Sequence, residues 1–292
     1  MRNVMSNKYI ITLYTLPALL LLLVLVYVPI ALSGYYGLMD WTGIGQMQFI
    51  GLENYINLMK DEKFWASAGH SFLLGLFSAV SLLFYLAVSL VLVSKIKGSD
   101  LFRKIYLIPM LLSSVAIAQL WLKIFDPSNG MLNKLLETFG VENTPVWLAD
   151  PSTALYAIFV PIVWQYAGFY ILIYYAALKN VPEEIIEAAK IDGATPLQIA
   201  FKIKLPMISA VFKVTIMLAV VGSLKYFDLI YVMTGGGPNG ASEVMASYMY
   251  KEAFELNNFG YASAIGFGLL VICLGMTWLT SRLTKSNDDV QY

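Results

Sequence analysis

Long apolar stretches alternate with short polar connections along this chain of 292 residues. A helix needs about 20 consecutive apolar residues to cross the hydrocarbon core of a bilayer, and six stretches are long enough. We predict membrane-spanning helices at residues 9–32, 65–94, 105–125, 153–178, 207–234 and 260–281. The expected fold class is an all-α integral membrane protein with six transmembrane helices, organised as one domain over residues 1–292.

The composition agrees with a membrane protein and excludes several other classes. Hydrophobic residues make up 59% of the chain and charged residues 13%, against about 45–50% and about 25% in a soluble domain. Nineteen Lys plus Arg balance nineteen Asp plus Glu, so no basic field indicates a nucleic-acid partner. The single cysteine, Cys273, lies in an apolar run, which leaves no intrachain disulfide and no thiolate metal site to predict.

The distribution of Lys and Arg predicts the orientation of the chain, because cytoplasmic loops are enriched in these residues. With the N-terminus inside, four fall in the outer connections: Lys60, Lys63, Lys134 and Lys251. Twelve fall on the inner side: Arg2, Lys8, Lys95, Lys97, Arg103, Lys104, Lys179, Lys190, Lys202, Lys204, Arg282 and Lys285. We therefore predict that both termini and the connection 179–206 are cytoplasmic.

The connection between the fourth and fifth predicted spans carries the signals of a short helix. Pro182 fits a helix start, and Glu183 and Glu184 then lie in the first turn, where the helix dipole favours negative charge. Asp192 and Gly193 supply a stop, because glycine tolerates the left-handed conformation that ends many helices. An apolar face is expected at helical spacing between these ends, at Ile185, Ala188 and Ala189.

A second short helix is predicted directly after the first. Thr195 can cap it, Pro196 fits its first position, and Gln198 completes a capping box. Pro206 closes the unit and begins the return into the membrane. Its expected apolar face consists of Leu197, Ala200 and Phe201. Residues 183–206 are therefore predicted to form a helix–turn–helix.

This helix–turn–helix could contact lipid headgroups, DNA or another protein. A helix lying among lipid headgroups would suit an anionic leaflet poorly, because the first helix is acidic. A DNA-reading pair is disfavoured because the unit is tethered to membrane spans at both ends and is not strongly basic. A face of small alanines lets another backbone approach closely, which favours docking of a protein.

The same residues resemble a known signature. Glu187-Ala188-Ala189, followed by Gly193 and then by Ile203-Lys204-Leu205-Pro206, resembles the EAA signature of binding-protein-dependent ABC importer permeases. In that family the signature forms a cytoplasmic coupling helix that docks into a separate ATPase subunit. The resemblance implies that the loop 179–206 couples this chain to such an ATPase. It assigns this role to Glu187, Ala188, Ala189, Asp192, Gly193, Ile203, Leu205 and Pro206.

A second resemblance narrows the family. Residues 227–238, FDLIYVMTGGGP, and residues 49–55, FIGLENY, are similar to the carbohydrate branch of these permeases, in particular to its maltose-permease F-type half. This implies a type I importer permease with the MetI-like fold, in a bacterial inner membrane. The implied partners are a second related permease, two copies of the ATPase and an extracytoplasmic sugar-binding protein. ATP and magnesium would bind to the ATPase, and this chain would bind no cofactor.

No motif indicates that the chain is an enzyme. Residues 235–242, GGGPNGAS, come near a phosphate-binding loop, but Ala241 stands where the lysine is needed, so we predict a turn. The spans contain no HExxH, nucleophile elbow or paired carboxylate. The alternative function is a stand-alone secondary transporter or channel. This would need an internal repeat or a functional carboxylate inside the membrane.

Polar and aromatic residues within the spans are candidates for a substrate pathway. A sugar needs an aromatic face for its C–H surface and fixed donors and acceptors for its hydroxyls. The candidate residues are Gln119, Trp164, Gln165, Tyr166, Tyr226 and Asp228. The alternative for the polar residues among them is interhelical hydrogen bonding. Asp228 could instead pair with Lys225 one helical turn away, as a structural ion pair or as part of a proton relay.

Overall fold

The computed structural model describes residues 8–94 and 98–283. Arg2, Lys95, Lys97 and Lys285, which enter the orientation prediction, lie outside the described residues. Within those ranges helices dominate, and the strands form one short antiparallel ribbon of Met39–Asp40 (β1) and Gln48–Phe49 (β2). The predicted all-α class is confirmed.

The described helices follow one another with short connections. In chain order they are α1 (Lys8–Leu22), α2 (Val28–Tyr36), α3 (Glu53–Lys60), α4 (Glu62–Val93), α5 (Ser99–Leu111), α6 (Ser114–Ile124), α7 (Met131–Thr138), α8 (Ala154–Lys179), α9 (Glu183–Ile191), α10 (Pro196–Ile199), α11 (Leu205–Met207), α12 (Ser209–Leu224), α13 (Asp228–Thr234), α14 (Met245–Tyr250) and α15 (Phe259–Leu283). Wider π-helical turns are found at Leu23–Tyr27, Ala200–Lys204 and Lys251–Glu255.

Five of the six predicted spans are confirmed as helices long and apolar enough to cross a membrane. They are Lys8–Tyr36, Glu62–Val93, Ala154–Lys179, Ser209–Thr234 and Phe259–Leu283. The third predicted span, over residues 105–125, is not one straight helix. Two helices, Lys104–Leu111 and Ser114–Ile124, meet there at 104° and count as a sixth span only if the bent pair is taken together.

The bend has a local cause. Leu112 and Ser113 adopt extended backbone angles, so the helical hydrogen-bond ladder stops after Leu111. Pro109 lies in the last turn of α5 and cannot donate a backbone hydrogen bond. The Ser113 side chain then caps α6 by accepting a hydrogen bond from the Ala116 N–H at 3.2 Å. Hydropathy alone does not register these signals, because Ser113 and Ser114 lie within an otherwise apolar stretch.

The chain divides into two compact units. The first contains the described residues up to Phe64 together with Met249–Val271, and the second contains the described residues of 65–248 and those of 272–283. In the first unit α15 begins against the ribbon, where Gly260 donates its N–H to the Trp41 carbonyl at 3.0 Å. A side chain at Gly260 would collide with the Met39 carbonyl, so glycine permits this close approach.

The second unit has two apolar clusters that both involve α8. One joins α8 to α4, α6 and α13 through buried residues such as Ile117, Ile158 and Ile230. The other joins α8 to α4 and α12 and includes Tyr174, whose hydroxyl lies 2.6 Å from the Thr215 hydroxyl. Helix α8 therefore forms the axis around which the elements of this unit are placed.

Candidate functional site

Helix α9 ends where its sequence predicts and begins one residue later than predicted. Pro182 is the cap and Glu183 the first helical residue. At the other end Gly193 has φ +80°. Its N–H donates to the Lys190 carbonyl at 3.1 Å, and the Ala194 N–H donates to the Ala189 carbonyl at 2.9 Å. These two bonds form a Schellman motif, which fixes the direction in which the chain leaves the helix.

The capping box predicted for the second helix is also confirmed. The Gln198 N–H donates to the Thr195 hydroxyl, and the Thr195 N–H donates to the Gln198 side-chain oxygen at 2.8 Å. The chain then runs through the π-helical turn Ala200–Lys204 into α11 and α12. Residues 183–206 therefore form the predicted helix–turn–helix, and both of its helices carry local end signals.

The inner face of this loop is fixed to the second apolar cluster of its unit. Val181 and Ile208 are buried members of that cluster, and Ile186 and Leu205 pack against it. Ile199 is also buried. Both ends and both helices of the loop therefore contribute a buried or packed anchor.

Large apolar side chains are exposed on this loop among its charged residues. Ile191 is 87% exposed, and Leu197 and Phe201 are also largely exposed. The pattern predicted the exposed Leu197 and Phe201 but missed Ile191, which lies at the end of α9 next to Asp192. Of the residues assigned to coupling, three are half-buried: Ala189, Ile203 and Leu205. The exposed ones are Glu187, Ala188, Asp192, Gly193 and Pro206.

A cavity of about 190 Å³ lies between α4, α8 and α12. Four tyrosines line it: Tyr85, Tyr166, Tyr170 and Tyr226. Three serines add hydroxyls: Ser78, Ser81 and Ser223. Gly222 is a further lining residue, and a Cβ added to it would meet nothing within 4 Å. The surface that faces the cavity is mainly apolar and aromatic, and only a few hydroxyl groups reach it.

Hydrogen bonds and ring contacts hold the polar wall in place. The Tyr226 hydroxyl donates to the Gln165 side-chain oxygen at 3.2 Å, and the Gln165 amide donates to the Ser114 hydroxyl at 3.3 Å. The Ser223 hydroxyl donates to the Ser78 hydroxyl at 2.8 Å. Tyr166 meets Tyr226 edge to face, with ring centroids 6.2 Å apart. These bonds and ring contacts therefore hold in place the side chains that a ligand would contact.

The six residues predicted for the substrate pathway are only partly brought together. Tyr166 and Tyr226 line the cavity, and Gln165 lies behind them through its bond to Tyr226. Trp164 instead meets Trp121 edge to face at 6.0 Å and packs against the first apolar cluster. Gln119 and Asp228 are exposed, and neither lines the cavity.

The predicted pairing of Lys225 with Asp228 across one helical turn is wrong. Helix α12 ends at Leu224 and α13 begins at Asp228, so the two charges do not lie on one continuous helix. In the part of the chain that the structure describes, no ion pair joins them. The backbone N–H of Lys225 donates to the Gly222 carbonyl at 3.2 Å, and this bond ends α12.

Several lining residues were missed by the sequence analysis. Ser78 and Ser81 lie three apart in α4, and Gly222-Ser223 interrupts the apolar run of α12. Small and polar residues on one face of a membrane helix often mark a helix contact or a cavity, which is the signal that could have found them. Tyr85 and Tyr170 gave no such signal, because aromatic residues are common throughout these spans.

The chain is similar to known membrane transport proteins over most of its length. Residues 71–287 match the family described as binding-protein-dependent transport system inner membrane component. The probable ABC transporter permease protein YurN of Bacillus subtilis is 34% identical over 289 residues, covering 97% of this chain and 99% of the relative. The trehalose/maltose transport system permease protein MalF of Thermococcus litoralis is 34% identical over 280 residues, covering 94% of this chain and 93% of the relative.

Solved structures share the fold. A chain of a bacterial alginate ABC transporter, crystallised with an alginate pentasaccharide-bound periplasmic protein, superposes with a TM-score of 0.84. The match covers 96% of this chain and 97% of that one at 21% sequence identity. This chain, with its bent third span and its fifth span interrupted between Leu224 and Asp228, therefore has a fold similar to that of a known transporter chain.

Proposed function

This chain belongs to the family of inner membrane components of binding-protein-dependent transport systems, and from that premise we propose that it is a permease subunit of an ATP-driven sugar importer. It would form half of the translocation pore and pair with a second, related permease. Two copies of a cytoplasmic ATPase would drive it, and an extracytoplasmic binding protein would deliver the sugar. Both termini would be cytoplasmic, in a bacterial inner membrane.

The observation that carries the proposal is the loop 183–206, which is capped, anchored and exposes large apolar side chains. Ile191, Leu197 and Phe201 are exposed apolar side chains that a partner can bury, and a few buried residues supply most of the binding energy at protein interfaces. A rigid loop would move with the ATPase as one body and displace the ends of α8 and α12. ATP and magnesium would bind to the partner, and this chain would hold no cofactor.

The cavity between α4, α8 and α12 supports sugars as the substrate class. Its tyrosine rings can lie against the C–H faces of a sugar, and the oxygens of its serine hydroxyls can accept hydrogen bonds from sugar hydroxyls. Trehalose and maltose appear in the description of a full-length relative, which agrees with a neutral carbohydrate. No charged side chain lines the cavity, so an ionic substrate would find no counter-charge there.

Ile191→Asp is expected to remove the ATPase from the purified complex. The side chain is 87% exposed, so the fold should survive, whereas the loss of one apolar anchor costs about 2 kcal/mol of binding, roughly thirtyfold. The tagged chain would be purified from its native membrane in mild detergent, and its partners identified by mass spectrometry. Ile44→Asp is the matched control, because Ile44 is 89% exposed in another connection.

The wild-type chain should bring an ATPase and a second permease with it. Ile44→Asp should retain both, while Ile191→Asp should keep the permease and lose the ATPase. A wild-type chain that purifies alone and moves solute without ATP would overturn the importer proposal in favour of a stand-alone transporter.

Gly222→Leu is expected to lower sugar uptake by about tenfold or more, since extra methylenes in an occupied site cost about 1–3 kcal/mol. Gly222 lines the cavity, and a Cβ added to it meets nothing within 4 Å, so the backbone site has room for the new side chain. Gly275→Leu is the control, since Gly275 is exposed on α15 with equal space around it. Uptake by intact cells, normalised to the amount of chain in the membrane, gives the readout. Unchanged uptake by Gly222→Leu would exclude the cavity from the pathway.

A further inference from the structure

Helix α3 has three distinct sides. Leu52, Ile56 and Met59 recur at the spacing of one helical face, and each is more than half exposed. On another side Asn54 and Leu58 are buried in the first unit. The third side is polar and exposed: Glu53, Asn57 and Lys60. The helix therefore carries an apolar exposed sector, a buried sector and a polar exposed sector.

Helix α7, in the second unit, repeats this arrangement. Its apolar exposed sector consists of Met131, Leu135 and Phe139, each more than half exposed. Its buried sector contains Asn133, which is 2% exposed, and the half-buried Leu136. Its polar exposed sector consists of Lys134, Glu137 and Thr138. Counted with the capping residues Leu52 and Phe139, both helices thus carry an apolar exposed, a buried and a polar exposed sector.

A buried asparagine fixes each helix beside the end of a span. In α3 the Asn54 amide donates to the carbonyls of Gly37 at 3.1 Å and Met39 at 2.9 Å. Both carbonyls lie just beyond Tyr36, where the first span ends. Helix α4, which is the next span, begins two residues after α3. Helix α3 is therefore held at the level where two spans leave the membrane.

In α7 the Asn133 amide donates to the carbonyls of Pro127 at 3.1 Å and Pro145 at 3.2 Å. The Asn133 oxygen accepts a hydrogen bond from the Trp147 indole at 2.7 Å. Pro127 lies three residues beyond α6, which ends at Ile124. The asparagine thus ties both flanks of α7 to each other and holds the helix close to the end of α6.

We propose that α3 and α7 lie in the membrane interface, with their apolar exposed sectors in contact with lipid at the boundary between headgroups and acyl chains. A helix lying in this plane needs lipid on one side and water on another, which the two exposed sectors of each helix provide. Lys60 and Lys134 belong to the polar sectors, and their long stems can reach lipid phosphates.

Site-directed spin labelling tests the proposal on the full chain. In a Cys273→Ser background, Ile56→Cys and Leu135→Cys place a nitroxide in the two apolar sectors. Asn57→Cys and Glu137→Cys, one or two residues away, are the matched controls in the polar sectors. The labelled chains would be reconstituted in nanodiscs of phosphatidylethanolamine and phosphatidylglycerol. Collision rates would be measured with oxygen, which concentrates in lipid, and with a water-soluble nickel chelate.

Oxygen should collide more often than nickel at Ile56 and Leu135, and the order should reverse at Asn57 and Glu137. Met59→Cys and Met131→Cys should repeat the lipid result. Nickel dominance at the apolar positions would place them in water, and shielding from both reagents would place them under protein. Either result would overturn the proposal. The measurement requires no ATPase and no uptake, so its failure would leave the importer proposal unaffected.

Discussion

Gly193→Pro is expected to abolish sugar uptake while leaving the chain inserted in the membrane. Gly193 has φ +80°, whereas proline holds φ near about −65°, so the loop must change direction after α9. The substitution also removes the N–H that bonds to the Lys190 carbonyl, a loss of about 1 kcal/mol. The residue is exposed and outside both apolar clusters, so the damage should stay within the loop. Uptake by cells and the amount of chain in isolated membranes provide the two measurements.

Gly193→Asn separates the backbone conformation from the absence of a side chain. Asparagine tolerates the left-handed region, and a Cβ at this position meets nothing within 4 Å. Uptake should therefore remain close to that of the wild type. If Gly193→Pro transports normally, the geometry of the loop is irrelevant and the coupling proposal is wrong. If Gly193→Asn is also inactive, the site requires a bare backbone against its partner.

The helix–turn–helix could be predicted from sequence because its determinants are local. Thr195, Gln198 and Gly193 act on backbone groups only a few residues away, so the capping box and the left-handed stop follow from spacing alone. The five long spans were equally accessible, because length and hydropathy are properties of the segment itself. Tyr166 and Tyr226 were selected because aromatic residues suit a sugar site. The sequence did not show that the two line one cavity.

The remaining features depend on contacts that are distant in the chain. The cavity is formed by residues of three helices, and no one helix contains a signal that identifies its partners across the bundle. Trp164 illustrates the difficulty: its type suits a sugar site, but its packing against Trp121 directs it to the core. The break between Leu224 and Asp228 turned an expected ion pair into two separate charges. Helix interruptions in apolar sequence are therefore where hydropathy gives the least guidance.

Gly168→Ala is expected to lower stability by roughly 3 kcal/mol or more, at the upper end of the cost of overpacking. Gly168 lies in α8, where it faces the backbone of α5. A Cβ built on it would overlap the Tyr106 carbonyl oxygen and lie 3.0 Å from the Leu107 Cα. A backbone atom cannot rotate away as a side chain does, so the two helices would have to separate. The midpoint of thermal unfolding in detergent should fall markedly.

Gly275→Ala shows whether the loss arises from this contact or from glycine in general. Gly275 is exposed in the interior of α15 and has free space around it, so alanine should be neutral or stabilising by about 0.5–1 kcal/mol. A normal thermal midpoint for Gly168→Ala would mean that α5 and α8 are not in backbone contact. The bend after α5 would then be free to open, because its first arm would no longer be held against α8. A large loss confined to Gly168 would instead make that contact the feature that fixes the bent pair.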